Sequence, residues 1–146
     1  MNGALMKDKQ RERVSEIVGP MLDAGETVEA MAQAIVKSAP AEQGRVGGAA
    51  RRLNKAVNAR SAARAEGFVV VTDRRIICLG KSAAMRPTGE VVAQLGRSDI
   101  DHADYKRGVT STLTLWPQEG DGLEFTFGLI LRSSADELAR VLGATS

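Results

Sequence analysis

Cysteine, histidine and aromatic residues are scarce in this chain. Its 146 residues include one cysteine, Cys78, one histidine, His102, and five rings: Phe68, Tyr105, Trp116, Phe125 and Phe127. A lone cysteine excludes an intrachain disulfide and suits a reducing, cytoplasmic setting. Rings at 3% of the chain leave little for base-stacking or sugar-stacking platforms. With one histidine, and with Cys78 inside an aliphatic run, no Cys–His or Ser–His couple is legible, so the expectation is a protein without catalytic residues. Long apolar runs are also missing. The longest are Phe68–Val71, Ile76–Leu79 and Leu129–Leu131, far below the ~20 residues of a membrane-spanning helix. The apolar start ends at Met6, too short for the core of a signal peptide. Any membrane contact is expected to be peripheral.

Charge of one sign is lacking too. Lys and Arg number 20 and Asp and Glu 18, a net +2, which excludes a broadly basic nucleic-acid binder. The distribution is uneven, however. Residues 41–66 hold Arg45, Arg51, Arg52, Lys55, Arg60 and Arg64 against Glu42 and Glu66, a net +4 that leaves −2 on the other 120 residues. With 43% hydrophobic residues, the rest has the makings of one folded domain.

The pattern along the chain begins helical. Residues 4–18 place Leu5, Met6, Val14, Ile17 and Val18 on one face, continued by Met21 and Leu22, and Gly19-Pro20 should end the helix. Residues 26–36 read either way. As a strand, Val28, Ala30, Ala32, Ala34 and Val36 share a face, but the alanines favour a helix on propensity. After Gly47-Gly48 the basic segment has a helical composition with few apolar residues. From Phe68 the pattern becomes β. Phe68–Val71 and Ile76–Leu79 read as strands around a tight turn at Thr72-Asp73-Arg74-Arg75, and Pro87-Thr88-Gly89 as a turn into a strand at Val91–Leu95. A polar stretch at 97–101 leads to a strand ending near Lys106. Alternation then marks strands at Thr112–Trp116 and Leu123–Phe127, joined by a loop at 118–122. Ser134-Ala-Asp-Glu137 reads as a capping box, opening a helix that turns Leu138, Val141 and Leu142 inward and stops at Gly143. There is no internal repeat. About seven short antiparallel strands and a terminal helix predict an α+β fold, a bent sheet or partly open barrel whose open corner the helix plugs.

The segment Phe68-Val-Val-Val-Thr-Asp-Arg-Arg-Ile-Ile-Cys-Leu79 resembles the strand–turn–strand of bacterial pleckstrin-homology-like (PH-like) domains. Met21–Val28 resembles that family's leader into the first strand, Arg97-Ser98-Asp99-Ile100 its link into the fifth, and residues 134–143 its terminal helix. The resemblance covers about residues 21–143. It implies a seven-stranded bent sheet capped by a C-terminal helix, and a binding module rather than an enzyme. Some members bind phosphoinositide headgroups through basic residues in and beside the first inter-strand loop, and many others bind proteins. On this division an N-terminal helix, 1–20, precedes a PH-like domain, 21–146, with the long basic insert 41–66 after its first strand. Trp116 lies at a strand end, and the terminal helix has no tryptophan.

The candidate contact residues are Arg45, Arg51, Arg52, Lys55, Arg60, Arg64 and Arg74, all suited to an anionic partner. The insert can equally be a solvated helix or loop that keeps the chain soluble, and polar residues at a hairpin tip such as Arg74-Arg75 are required by the turn itself. Asp99, Asp101, His102 and Asp104 bring carboxylates near the histidine. On a regular strand, though, Asp99 and Asp101 face away from His102 and Asp104, so no metal site is expected. No cofactor is expected either. The leading expectation is a non-catalytic adaptor that contacts a protein partner or its own copy. The alternative is a peripheral module meeting anionic lipid headgroups through the insert; nucleic acid fits less well, and a small enzyme has no residues to name.

Overall fold

The computed structural model describes residues 8–40, 65–84 and 86–145. Helix α1 (Asp8–Val18) leads through a 3₁₀ turn at Gly19–Met21 into β1 (Val28–Ala39). Then come β2 (Ala65–Thr72), β3 (Arg75–Lys81), β4 (Pro87–Gly96), β5 (Ile100–Lys106), β6 (Ser111–Pro117) and β7 (Gly122–Phe127), and a 3₁₀ turn at Leu129–Leu131 opens α2 (Arg132–Val141). The strands form one antiparallel sheet in the order β4-β3-β2-β1-β7-β6-β5. The edge strands β4 and β5 do not pair with each other, so the sheet is bent but not closed. This is the seven-stranded, helix-capped architecture that the sequence led us to expect.

The ambiguous segment is a strand. Ala30, Ala32, Ala34 and Val36 point into the core, with Met31 on the opposite face. Helix propensity loses here to tertiary context: α2 lies over β1, and small inward side chains let Ala135, Leu138 and Ala139 approach closely. At twelve residues, β1 is long enough to pair with β2 over Val28–Val36 and with β7 over Ile35–Ala39, joining the two halves of the sheet.

The apolar runs of β2 and β3 are continuous because both faces of those strands are covered. Val69, Val71, Ile76 and Cys78 join Leu113, Leu115, Phe125, Phe127 and Leu138 in the inner core. Phe68, Val70, Ile77 and Leu79 face outward onto Val14 and Val18 of α1, with Ile17, Met21 and Leu22 around them. The described part of the expected stripe, Val14, Ile17, Val18, Met21 and Leu22, is therefore spent on the chain's own sheet; Leu5 and Met6 lie outside the described residues.

Several boundaries shift from expectation. Thr72 and Arg75 belong to strands, which narrows the turn to Asp73-Arg74. Glu66, assigned to the insert, lies in β2 opposite Ile35 and pairs with Lys81 at 3.4 Å. Pro87 starts β4 rather than a turn, since the first residue of an edge strand tolerates a missing N–H; the connection is closed instead by Ser82 N–H donating to the Arg86 carbonyl at 2.8 Å. The capping box does not form. The 3₁₀ turn runs straight into α2, so the helix starts at Arg132 with no side-chain cap, and Ser134 is buried within its first turn. Its end is as expected: Gly143 takes φ +67°, the Gly143 N–H donates to the Arg140 carbonyl and the Ala144 N–H to that of Ala139.

Phe125 is fully buried at the centre of the inner core. Phe125→Ala should cost about 3–5 kcal/mol in denaturant unfolding; a loss under about 1 kcal/mol would place the ring outside the core.

Candidate functional site

Two of the segments that carry the resemblance, Met21–Val28 and Phe68–Leu79, meet around one buried carboxylate. The leader Leu22–Thr27 turns at Gly25, whose φ of +83° suits glycine, and lays Glu26 against the β2–β3 hairpin. Glu26 has no exposed side-chain surface. It accepts from Arg75 Nε and Nη2 at 3.0 Å each, from Thr72 Oγ1 at 2.6 Å and from the Asp23 N–H at 2.9 Å. Arg75 Nη2 also reaches the Met21 carbonyl at 2.6 Å. Thr72 Oγ1 in turn accepts from the Arg74 and Arg75 N–H groups, closing the turn. Asp73 exchanges hydrogen bonds with the Thr27 backbone, its N–H donating to the carbonyl and its Oδ1 accepting from the N–H, both at 3.0 Å. Every residue of Thr72-Asp-Arg-Arg75 thus ties the hairpin to the leader. The hydrogen bonds from Arg75, reinforced by Thr72 and the Asp23 N–H, outweigh burial and hold the Glu26 carboxyl at about 2.

Arg97, the first residue of the segment that resembles the family's link into the fifth strand, makes a second tie. Its Nη1 reaches Glu29 Oε1 at 2.5 Å and the Thr72 carbonyl at 3.1 Å, and its Nη2 reaches the Val141 carbonyl at 3.2 Å at the C-terminal end of α2. Arg97 also lines a cavity of about 270 Å³ with Ile100, Asp101, His102, Leu142 and Thr145, but its guanidinium is committed to protein partners. Beside this cavity the chain's own Thr145 covers part of the β5 edge, its N–H donating to the Ala103 carbonyl and its carbonyl accepting from the Tyr105 N–H.

Cys78, Tyr105 and Asp136 are the other groups whose titration burial and neighbours alter. Burial pushes the Cys78 thiol up to about 12, which removes it as a nucleophile near neutrality. Burial also raises Tyr105, whose hydroxyl donates to Asp136 Oδ1 at 2.5 Å. Burial opposes charge on Asp136, yet hydrogen bonds from Tyr105 and Arg107 prevail and hold its carboxyl below the usual range. A shift of register between Ile100 and His102 breaks the strict alternation of β5 and corrects the expected split of the acidic cluster. His102 Nδ1 lies 2.8 Å from Asp101 Oδ2 and Nε2 lies 3.9 Å from Asp104 Oδ2, while Trp116 stacks on the imidazole and donates to Asp104 at 3.1 Å. Among the described residues, no group of three or more His, Cys, Asp or Glu side chains is placed to hold a metal ion.

Of the sequence-derived contact residues, Arg45, Arg51, Arg52, Lys55, Arg60 and Arg64 lie outside the described residues. Arg74 is at the hairpin tip, about half exposed, 3.8 Å from Asp23 Oδ2 and donating to the Ala24 carbonyl at 3.3 Å. It occupies the end of β2 away from Ala65, where the insert attaches. Among the described residues, no helix is long and apolar enough to cross a membrane.

Glu26→Gln should cost about 3 kcal/mol, because it leaves Arg75 facing a neutral group in a mostly buried site. The folded carboxyl titrates below its ordinary 4.5, so its contribution is fully present above that pH. It should fade as pH falls from 4.5 toward about 2. Unfolding measured across that range should show a steeper loss for the native protein than for Glu26→Gln; parallel curves would assign the acid sensitivity elsewhere.

Comparison with known proteins yields likeness of fold alone. No family model matches the sequence, and no curated protein matches it. A solved structure of the PH and C1 domains of the Vav1 exchange factor superposes with a TM-score of 0.53 at 11% identity, covering 92% of this chain and 32% of that one. The chain thus spans about a third of the length of that structure. A pleckstrin homology domain from Shewanella amazonensis matches at 15% identity over 77% of this chain and 79% of its own, with a TM-score of 0.37. An open, bent, seven-stranded antiparallel sheet plugged by a C-terminal helix, superposing on a structure that includes a PH domain, is a PH-like fold.

Proposed function

We propose that the chain is a non-catalytic binding module acting through protein–protein contacts, with a partner protein or a second copy of itself, in a cytoplasmic setting. The observation that carries this reading is the β4 edge. β4 is ten residues long and pairs only with β3, and no described strand covers its outer edge. It bears a single charge, Glu90, and exposes Val91. The other edge, β5, is charged along its length and partly covered by Thr145. Pro87, two register shifts against β3 and packing from α1 blunt part of this edge, which leaves Ala93–Gly96 as its regularly paired stretch. That weakly charged stretch offers backbone groups for strand addition, with alternate side chains available for selectivity. The inert Cys78 and the commitment of Glu26, Thr72, Arg75 and Arg97 to structural contacts fit a binder better than a catalyst.

A second reading follows from where the insert leaves the sheet. β1 and β2 release it at the end where Arg86 lies, beside Lys37 and Lys81, which pair with Glu124 and Glu66 at 3.4 Å each. Arg45, Arg51, Arg52, Lys55, Arg60 and Arg64 would bring unpaired charge to that end and meet anionic headgroups, with Arg74 at the far end as a separate contact.

Val91→Lys tests the edge. Sedimentation velocity over a wide concentration range should show reversible association of the native chain, with amide protection growing along residues 88–95. Val91→Lys should keep the native melting temperature and remain monomeric. A native chain that stays monomeric, with β4 amides unprotected at every concentration, would remove self-association through this edge.

A further inference from the structure

The two helices are held to the sheet by different means. α2 is locked by polar ties: Arg97 Nη2 donates to the Val141 carbonyl, Asp136 accepts from Tyr105 and pairs with Arg107, and Arg132 donates to the Gly108 carbonyl. α1 has no such tie. Among the described residues, no hydrogen bond or ion pair joins an α1 side chain to a strand. Its hold is apolar alone. Val14 and Val18 are fully buried in a cluster with Met31, Phe68, Val70, Ile77 and Leu79, and Ile17 is partly buried beside them. Its charged residues Asp8, Lys9, Glu12, Arg13 and Glu16 are exposed.

The change from loose to rigid falls at Gly19-Pro20. Directly after it, the Met21 carbonyl accepts from Arg75 Nη2 at 2.6 Å, and the leader is fixed to the hairpin through Glu26. Gly19 and Pro20 are themselves exposed, and beyond its chain neighbours no atom lies within 4 Å of the place a Gly19 side chain would start. The 3₁₀ turn is closed by the Leu22 N–H donating to the Gly19 carbonyl at 3.2 Å, and Pro20 has no N–H to add. α1 precedes the first strand, so it can leave its seat without unthreading the sheet. The seat itself cannot stay bare. Phe68 pairs directly with Leu79 and Val70 with Ile77, which makes a continuous apolar face on β2 and β3. The cover that fits this face is α1, with Val14 and Val18 one helical turn apart. A second copy carries the same helix, so the same contacts can form between molecules, and reciprocal exchange leaves neither seat empty. Within one chain the tether presents α1 at an effective concentration on the order of millimolar, so exchange competes as the protein approaches that concentration.

We propose that two copies of the chain exchange α1, each helix pivoting at Gly19-Pro20 to take the outer face of β2 and β3 on the other copy. The dimer is reciprocal and keeps the contacts of the closed monomer outside the hinge. It names a second copy as partner without resting on the β4 edge, because strand addition there leaves each α1 on its own sheet.

Mixed labelling of the full chain is the test. Isotope-labelled and unlabelled copies are combined at millimolar concentration, and isotope-filtered NOE spectra select contacts between molecules. They should show the Val14 or Val18 methyl groups of one copy against the Phe68, Ile77 or Leu79 side chains of the other. The dimer fraction from sedimentation equilibrium should rise together with that signal. Gly19→Ala combined with Pro20→Ala removes the break after α1 and stiffens the hinge, which penalises the closed form more than the exchanged one. The dimer dissociation constant should then fall roughly tenfold. A native chain that stays monomeric at millimolar concentration overturns the proposal. So does a dimer whose α1 contacts all remain within one copy. Protection gained by the β4 amides in that dimer would give the association to the strand edge, so the two readings fail separately. A hinge variant with the native melting temperature and no tighter dimer also overturns it, and the native-chain spectra decide the matter should that variant not fold.

Discussion

The pairing of Glu26 with Arg75 sets the geometry on which the rest of the fold rests. A carboxylate withdrawn from water is tolerable only with its lone pairs filled, and here a forked guanidinium, a hydroxyl and a backbone N–H do so. Because the donors come from Thr72 and Arg75, the hairpin and the leader have one mutual position. That position decides where β1 begins, and with it the register Val28↔Thr72 at the start of its ladder with β2. It also anchors the Met21 carbonyl, and so directs α1 onto the outer face of the sheet.

Two covered faces follow from that placement. α1 closes the outer side of β2 and β3, and α2 closes the inner side over β1. Arg97 then joins β1, β2 and the end of α2 across the gap that the open sheet leaves, with Glu29 and two carbonyls as its partners. The interior is apolar and the polar ties sit around its rim.

Much of this was legible in the sequence, for local reasons. Aliphatic runs broken by Thr-Asp-Arg-Arg marked β2 and β3, and alternating leucines and phenylalanines marked β6 and β7. The alanines of β1 were ambiguous because their small size serves α2, a partner about a hundred residues away. Pro87-Thr88-Gly89 carries turn chemistry, yet an edge strand accepts it. Ser134 and Glu137 have capping-box spacing, but the turn before them already supplies the helix start. Polar roles were harder to read. Glu26 has partners 46 and 49 residues distant, Arg97 has them 25 to 68 residues distant, and a bulge in β5 brings His102 to Asp101, which strict alternation would separate.

The double duty of β1 has a consequence for synthesis. Its second half pairs with β7, which leaves the ribosome more than 80 residues later. At ordinary rates of translation that is a delay on the order of several seconds. Until then the core face of β1 has only β2–β4 beside it, and the alanines that will receive α2 lie bare. The nascent chain therefore passes through a stage with two open strand edges and an unfilled apolar groove. Such a stage is well suited to capture by a chaperone, and it ends only when the last fifth of the chain arrives.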